Sequence, residues 1–309
     1  MVGILFTGGT ISMRIDPATG AAVPALAAED IVAQVPDLPA VSEFEIEEFS
    51  RLPGPHVTPE HMWRLARRAA AWLERPDIDG LVITHGTDTI EETAFMLDVL
   101  LTTSKPVVLV GAMRTVSDPS WDGPANLLAA VRVAAAPAAR DCGVVVVMDE
   151  HIFPAREVRK LHVESSGSFA TPEFGPLGIV DGVDVVFRRR PMPRPEWHDP
   201  DAEPGMRVRR IETRVDLVQA YTGMTDRPLR HALADGALGL ALIAFGRGNV
   251  PPTIVPAVRD AVAAGVLVTV SSRSLAGRVS ARYGYDGGGL HLRDAGAILS
   301  GDLSGAQAR

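Results

Sequence analysis

At 309 residues the chain is long enough to bury a large core and to divide into two domains. Its composition, 46% apolar and 22% charged, is that of an ordinary globular protein, and a formal net charge of -8 with a pI near 5.5 argues against the basic face a nucleic-acid partner would need. No apolar run reaches the roughly 18 residues of a membrane span, and the chain opens directly into a strand at Val2 without a charged and apolar leader, so an unexported, cytoplasmic protein is expected. The lone cysteine, Cys142, has no partner for an internal disulfide and sits at the mouth of an apolar run, where a packing role is expected.

In chain order, the apolar stretch 2–6 predicts a strand ending in the turn Thr7-Gly8-Gly9-Thr10-Ile11. A Pro/Gly/Ala-rich loop (16–27), a helix (28–35) and a strand (44–49) follow. Thr58-Pro59-Glu60 is a strong helix start, with threonine as cap and proline at the first helical position, and the helix should run to about residue 74. Next come a strand (81–84), the turn Thr84-His85-Gly86-Thr87-Asp88-Thr89, a helix (89–101), a strand (106–111), a helix (124–135) and a strand (143–148). Regularity then lapses from 149 to 178, and the Pro/Arg-rich run 188–195 reads as part of a linker with a solvated arginine face. Strands at 214–218, 238–245 and 266–270, with helices at 228–233 and 252–264, make a smaller second unit. Nearly wholly apolar strands separated by amphipathic helices predict an α/β fold with a larger, mostly parallel N-terminal sheet flanked by helices and a smaller C-terminal α/β domain. The expected boundaries are 1–187, a linker at 188–212, and 213–309.

Both threonine-bearing turns follow strands, and in an open α/β sheet ligands bind in the crevice beyond the strand carboxyl ends. Taken alone, either turn has a plainer reading: Thr7-Gly-Gly-Thr10 as a tight strand-to-helix turn, and Asp88 with Glu91 as a capping box. Spacing sets other chemistries aside. The chain has no HExxH, CxxC, GxSxG or phosphate-loop GK[ST] arrangement, and its eight histidines are scattered, so no cofactor or metal is expected. Lys160, in Arg156-Glu157-Val158-Arg159-Lys160, reads by itself as surface charge.

Taken together, these pieces resemble the bacterial L-asparaginase family, cytoplasmic type. The resemblance is carried by TGGTI (7–11), ITHGTDTIEETA (83–94), KPVVLVGAMR (105–114), DGPANL (122–127), VVVMDEHIFPAREVRK (145–160) and FGPLG (174–178), and it extends to Gly246-Arg-Gly-Asn249 and Ser271-Ser272-Arg273. It implies hydrolysis of a side-chain amide to an acid and ammonia without metal or cofactor, on a two-domain subunit assembled as a homodimer or homotetramer. It also implies Thr10 as nucleophile beside Thr87, Asp88 and Lys160, with Asp88 also the partner of the substrate ammonium. Gly9, Gly54, Pro55, Gly86 and Ala112 fall at substrate-lining positions, and Asn249 resembles a residue lent by a neighbouring subunit. A threonine hydroxyl needs a base within hydrogen-bond reach, and a buried lysine amine can serve if it is neutral.

Two departures bear on the substrate. The family's loop tyrosine is replaced by Ala22, and a serine that grips the substrate α-carboxylate aligns with Gly54; His56 is the new polar group nearby. Three readings therefore remain open: an L-asparaginase of weak affinity, a hydrolase of a different small amide, or a non-catalytic amino-acid-binding protein. Retention of Thr10, Thr87, Asp88 and Lys160 weighs against the last.

Overall fold

The computed structural model describes residues 1–194 and 196–309; Pro195, within the expected linker, lies outside the described residues. Two compact units emerge, Met1–Ile211 and Glu212–Arg309. The first begins with β1 (Val2–Gly8), the hairpin β2 (Met13–Ile15) and β3 (Ala22–Pro24), α1 (Ala28–Ala33), α2 (Leu38–Val41) and β4 (Phe44–Leu52). It continues through α3 (Pro59–Leu73), β5 (Gly80–Thr84), α4 (Ile90–Leu100), β6 (Val107–Val110), α5 (Gly123–Ala135) and β7 (Val144–Met148). Five short strands complete it: β8 (His151–Pro154), β9 (Arg159–Lys160), β10 (Phe169–Ala170), β11 (Gly178–Asp181) and β12 (Asp184–Phe187).

Eight of these strands form one sheet in the order β12-β11-β8-β7-β6-β5-β1-β4. The five from β7 to β4 are parallel, and β8, β11 and β12 add an antiparallel edge. Because side chains alternate along a strand, Ile4 and Phe6 of β1 enter the apolar layer shared with α1 and α5, while Leu5 enters the layer shared with α3 and α4. Covered on both faces, β1, β5, β6 and β7 are buried throughout, which is why they read as unbroken apolar runs. The start of α3 follows the expected chemistry: Thr58 Oγ1 accepts from the His61 N–H at 3.2 Å and Pro59 opens the helix.

This layering creates a switch point. From β1 the chain turns to α1 on one face, whereas from β5 it turns to α4 on the other, and β1 and β5 are neighbours with Phe6 opposite Thr84. The turns after these strands therefore diverge and leave a crevice between them at the carboxyl ends.

Three regions differ from the sequence-based expectation. The loop at 16–27 is largely the β2–β3 hairpin, with Ile15 opposite Ala22; its Gly, Pro and Ala content masks strand pairing that depends on backbone register. The stretch 149–178, expected as irregular, holds β8, β9, β10 and the start of β11, strands too short for a periodicity to show. The expected linker packs on the first unit. Arg189 pairs with Glu157 at 2.5 Å, Arg190 donates to the Ala138 carbonyl at 2.9 Å, and Arg207 donates to the Val99 carbonyl at 3.0 Å. Its arginines thus satisfy carbonyls left over at the ends of helices and turns, and the contact boundary falls after Ile211.

The second unit is a four-stranded parallel sheet in the order β13 (Val215–Gln219), β14 (Gly239–Ala244), β15 (Leu267–Ser272) and β16 (Ile298–Leu299). It carries α6 (Arg227–Ala234), α7 (Ile254–Ala263), α8 (Gly289–Asp294) and a last turn α9 (Gly305–Ala308) capped by Ser304. α8, β16 and α9 are too short to have been legible in the sequence. Among the described residues no helix is long and apolar enough to cross a membrane.

Candidate active site

At the switch point three glycine backbones meet. A Cβ on Gly9 would fall 2.5 Å from the Gly86 nitrogen, and one on Gly86 would fall 2.7 Å from both Cα and N of Gly54. Only glycine allows the turns after β1, β4 and β5 to touch in this way, and Gly9, at φ +86°, also occupies a conformation that side chains resist. Thr10, half-buried, opens a 3-10 turn directly after Gly9 and is thereby held against the Gly86-Thr87 turn. Ser12 steadies that turn by donating to the Gly9 carbonyl at 2.9 Å.

The threonines divide by role. Thr7 Oγ1 donates to the Thr84 carbonyl at 2.5 Å and the Thr7 N–H donates to Thr84 Oγ1 at 3.2 Å, so both of these hydroxyls serve to bind β1 to β5. Thr87, buried, is different: its Oγ1 lies 2.9 Å from Lys160 Nζ, which also reaches Asp88 Oδ1 at 2.6 Å. Thr87, Asp88 and Lys160 are thus brought together across 72 residues of chain, the lysine side chain 16% exposed and Asp88 open to solvent. Thr10 Oγ1 has no hydrogen-bond partner among the described residues; its turn is joined to the one that carries Thr87 and Asp88 through the Gly9–Gly86 contact.

Asp88 and Glu91 do not form the capping box allowed for in the sequence. The helix cap is Thr89, without a side-chain cap bond, and Glu91 Oε2 instead accepts from the Lys160 main-chain N–H at 2.8 Å. β9 was not legible as a strand, and its approach to α4 is what redirects this carboxylate.

Behind the threonines lies His85, fully buried. Its Nδ1 is 2.9 Å from the Gly86 carbonyl, an acceptor only, so the proton sits on Nδ1 and Nε2 accepts from the Thr93 hydroxyl at 2.9 Å. Burial pulls its pKa down to about 4, and the imidazole is neutral at pH 7. It is a strut for the Gly86 peptide.

Ala112 is fully buried after β6, and a Cβ on the preceding Gly111 would meet the His85 carbonyl at 2.7 Å and Thr87 Cγ2 at 3.0 Å. The segment DGPANL holds this turn. The Asp122 carboxylate accepts from the Met113 and Arg114 N–H groups, both at 2.9 Å, while Asn126 Nδ2 donates to the Gly111 carbonyl at 3.1 Å and to Asp122 Oδ2 at 3.0 Å. These clamps escaped the sequence reading, although the motif itself was visible there.

Gly54 is buried and its Cβ position would lie 3.3 Å from Thr89 Oγ1; Pro55 and His56 are exposed in the short turn that follows. Ala22 is exposed on β3. Asn249, half-buried in the second unit, accepts from the Gly289 N–H at 3.3 Å within its own unit. Cys142 is buried in the core, where burial raises its thiol pKa, consistent with packing. A cavity of about 940 Å³ lies at the far end of α4, lined by Asp98, Cys142, Arg190, Arg194 and Arg207 among others, and includes none of residues 10, 87, 88 or 160. Among the described residues no group of three or more His, Cys, Asp or Glu is placed to hold a metal ion.

Residues 1–193 match the asparaginase N-terminal domain and residues 214–309 the glutaminase/asparaginase C-terminal domain. The chain is 38% identical to a probable L-asparaginase of Deinococcus radiodurans, over 100% of this chain and 90% of the relative. It is 34% identical to a glutaminase-asparaginase of Pseudomonas fluorescens biotype A, over 89% of this chain and 76% of the relative. The crystal structure of a probable cytoplasmic L-asparaginase from Campylobacter jejuni superimposes with a TM-score of 0.88 at 30% identity, covering 100% of this chain and 92% of that one. With both domains matched in order and nearly every residue spanned, the chain belongs to the asparaginase family.

Proposed function

We propose that the chain hydrolyses L-asparagine to L-aspartate and ammonia, with Thr10 as nucleophile and Thr87, Asp88 and Lys160 as a proton relay. The observation that carries this is the bonded set Lys160–Thr87–Asp88 at the strand carboxyl ends, against which the glycine contacts press the turn of Thr10. A neutral Lys160 amine takes the Thr87 hydroxyl proton as the Thr87 oxygen takes that of Thr10. The Thr10 oxygen adds to the amide carbon; the C–N bond then breaks as the proton held on Lys160 returns through Thr87 to the nitrogen, which leaves as ammonia, and water, giving up its proton along the same path, cleaves the resulting ester and restores the Thr10 hydroxyl. Composition supplies further support. Lys105 and Lys160 are the lysines of a chain whose other basic residues are arginine, and a guanidinium does not give up its proton. A role that requires a neutral amine requires lysine.

Asp88, open to solvent, is positioned to receive a substrate ammonium, with Gly9, Gly54, Pro55, Gly86 and Ala112 lining the substrate. Asn249 would complete the site from a neighbouring subunit of a homodimer or homotetramer. Residues 1–187 would carry the catalytic groups and 213–309 the smaller domain, in a cytoplasmic enzyme. Because Gly54 offers no hydroxyl to the α-carboxylate, asparagine binds weakly. That same glycine favours a second reading, a different small amide lacking this carboxylate.

Ammonia release over a panel of amides tests the proposal. Thr10→Ala and Thr87→Val should each remove nearly all hydrolysis with the fold intact, and the double variant should lose little more, because residues acting as a unit are not additive. Retention of most of kcat by Thr10→Ala would end the nucleophile assignment.

A further inference from the structure

Strand β9 is two residues long and pairs with two residues of β10, Lys160 opposite Phe169. So short a ribbon does not hold its own position, since isolated two-stranded pairs are marginal even when longer. Beyond β10, the hydrogen bonds of Lys160 reach one run, 87–91. The Lys160 side chain reaches Thr87 and Asp88, while its main-chain N–H donates to Glu91 Oε2 at 2.8 Å. Glu91 stands in the first turn of α4, where a carboxylate ordinarily answers the free helix N–H groups. Here it crosses to another strand instead.

We infer that Glu91 is a positioning residue for Lys160: its carboxylate fixes the main chain at 160 so that Nζ meets Thr87. The inference rests on the reading of Lys160 as the base. Glu91 is half-buried, and desolvation raises its pKa; the Lys160 N–H and the positive charges of Arg159 and Lys160 oppose that rise.

The lysine count makes a direct test possible. Labelling lysine at the ε-carbon with carbon-13 yields two resonances, and Lys105, whose Nζ donates to the Leu73 and Arg75 carbonyls, is identified by Lys105→Arg. The Lys160 resonance at one pH and the rate of ammonia release are then compared in the parent, Glu91→Gln and Glu91→Ala. Glutamine keeps an acceptor oxygen for the 160 N–H, so its Lys160 resonance should stay with the parent's and its kcat within about threefold. Alanine loses the acceptor and should displace the Lys160 resonance and lower kcat about 10- to 100-fold with little change in KM. A parental kcat and resonance in Glu91→Ala overturn the positioning, as does a Glu91→Gln that recovers nothing lost in Glu91→Ala. If the parent releases ammonia from no amide in the panel, the proposed function fails while the resonance comparison still decides whether Glu91 acts on Lys160.

Discussion

Lowering the pH should destabilise the fold through His85. The imidazole is completely buried, and burial is the largest cause of its depressed pKa, about 4 against an ordinary 6.5. Because the folded value lies below the unfolded one, the unfolded chain takes up the proton first. The stability associated with neutral His85 is therefore complete above about pH 6.5 and is lost as the pH falls toward 4. A difference of this size corresponds to roughly 3 kcal/mol at the limit, of which roughly 2 to 3 kcal/mol is lost by about pH 4.5. The assay is urea unfolding of the parent and of His85→Gln at about pH 7.5, 6.5, 5.5 and 4.5. Carboxylates titrate in both proteins and cancel in the difference, whereas the charge on His61 is one of the causes that lower the His85 pKa and stays with the parent's loss. The parent should lose roughly 2 to 3 kcal/mol more than the variant across this range. Parallel curves for the two proteins would refute the argument and mean that His85 is solvated or shares its proton with another group.

Gly9→Ala places a Cβ 2.5 Å from the Gly86 nitrogen on a backbone at φ +86°, so the turn must shift and carry Thr10 with it. A loss of about 100-fold in kcat is expected, and parental kinetics would show the glycine contact to be dispensable. Gly54→Ser places its Cβ 3.3 Å from Thr89 Oγ1, with Asp88 Cβ at 3.5 Å and the Gly86 carbonyl carbon at 3.6 Å in ordinary contact, and is accommodated by a small adjustment. The new hydroxyl should lower KM for asparagine by about 10- to 100-fold with little change in kcat. Ala22→Tyr, at an exposed position, should raise kcat if the hairpin can close over substrate. A parent that already has a micromolar KM and gains from neither change would point to other groups, His56 first. Chelators should leave the rate unchanged while it rises with pH to a plateau, since the relay depends on a neutral amine; activity lost in EDTA and restored by a divalent ion would defeat this.

Much of the first unit was legible because its signals are local. The apolar strands β1, β5, β6 and β7, the Thr58-Pro59 start of α3, and the glycines of the two turns follow from burial on both faces, from capping and from backbone freedom, each readable within a few residues. The candidate threonines, Asp88 and Lys160 were named from motifs resembling a known family, and Lys160 in isolation read as surface charge. What the sequence by itself determined was the alternation of elements and the residue types available at the strand ends.

Only the tertiary structure decided which of those groups meet. Thr7 and Thr84 are as polar as Thr87, yet their hydroxyls are used in tying β1 to β5, and only the register of those strands reveals it. Glu91 looked like half of a capping box until β9 was seen to bring the Lys160 N–H to it. His85 carried no sign of its neutrality, because Thr93 and the Gly86 carbonyl satisfy it only once α4 is folded against the turn. The arginines at 189 and 190 read as a solvated linker, since nothing in their sequence tells of the Glu157 carboxylate and the Ala138 carbonyl that receive them. In each case the partner lies far along the chain or on another element. A local pattern records which groups a residue carries, whereas a hydrogen-bond partner is set by strand order, register and the face to which each connection turns.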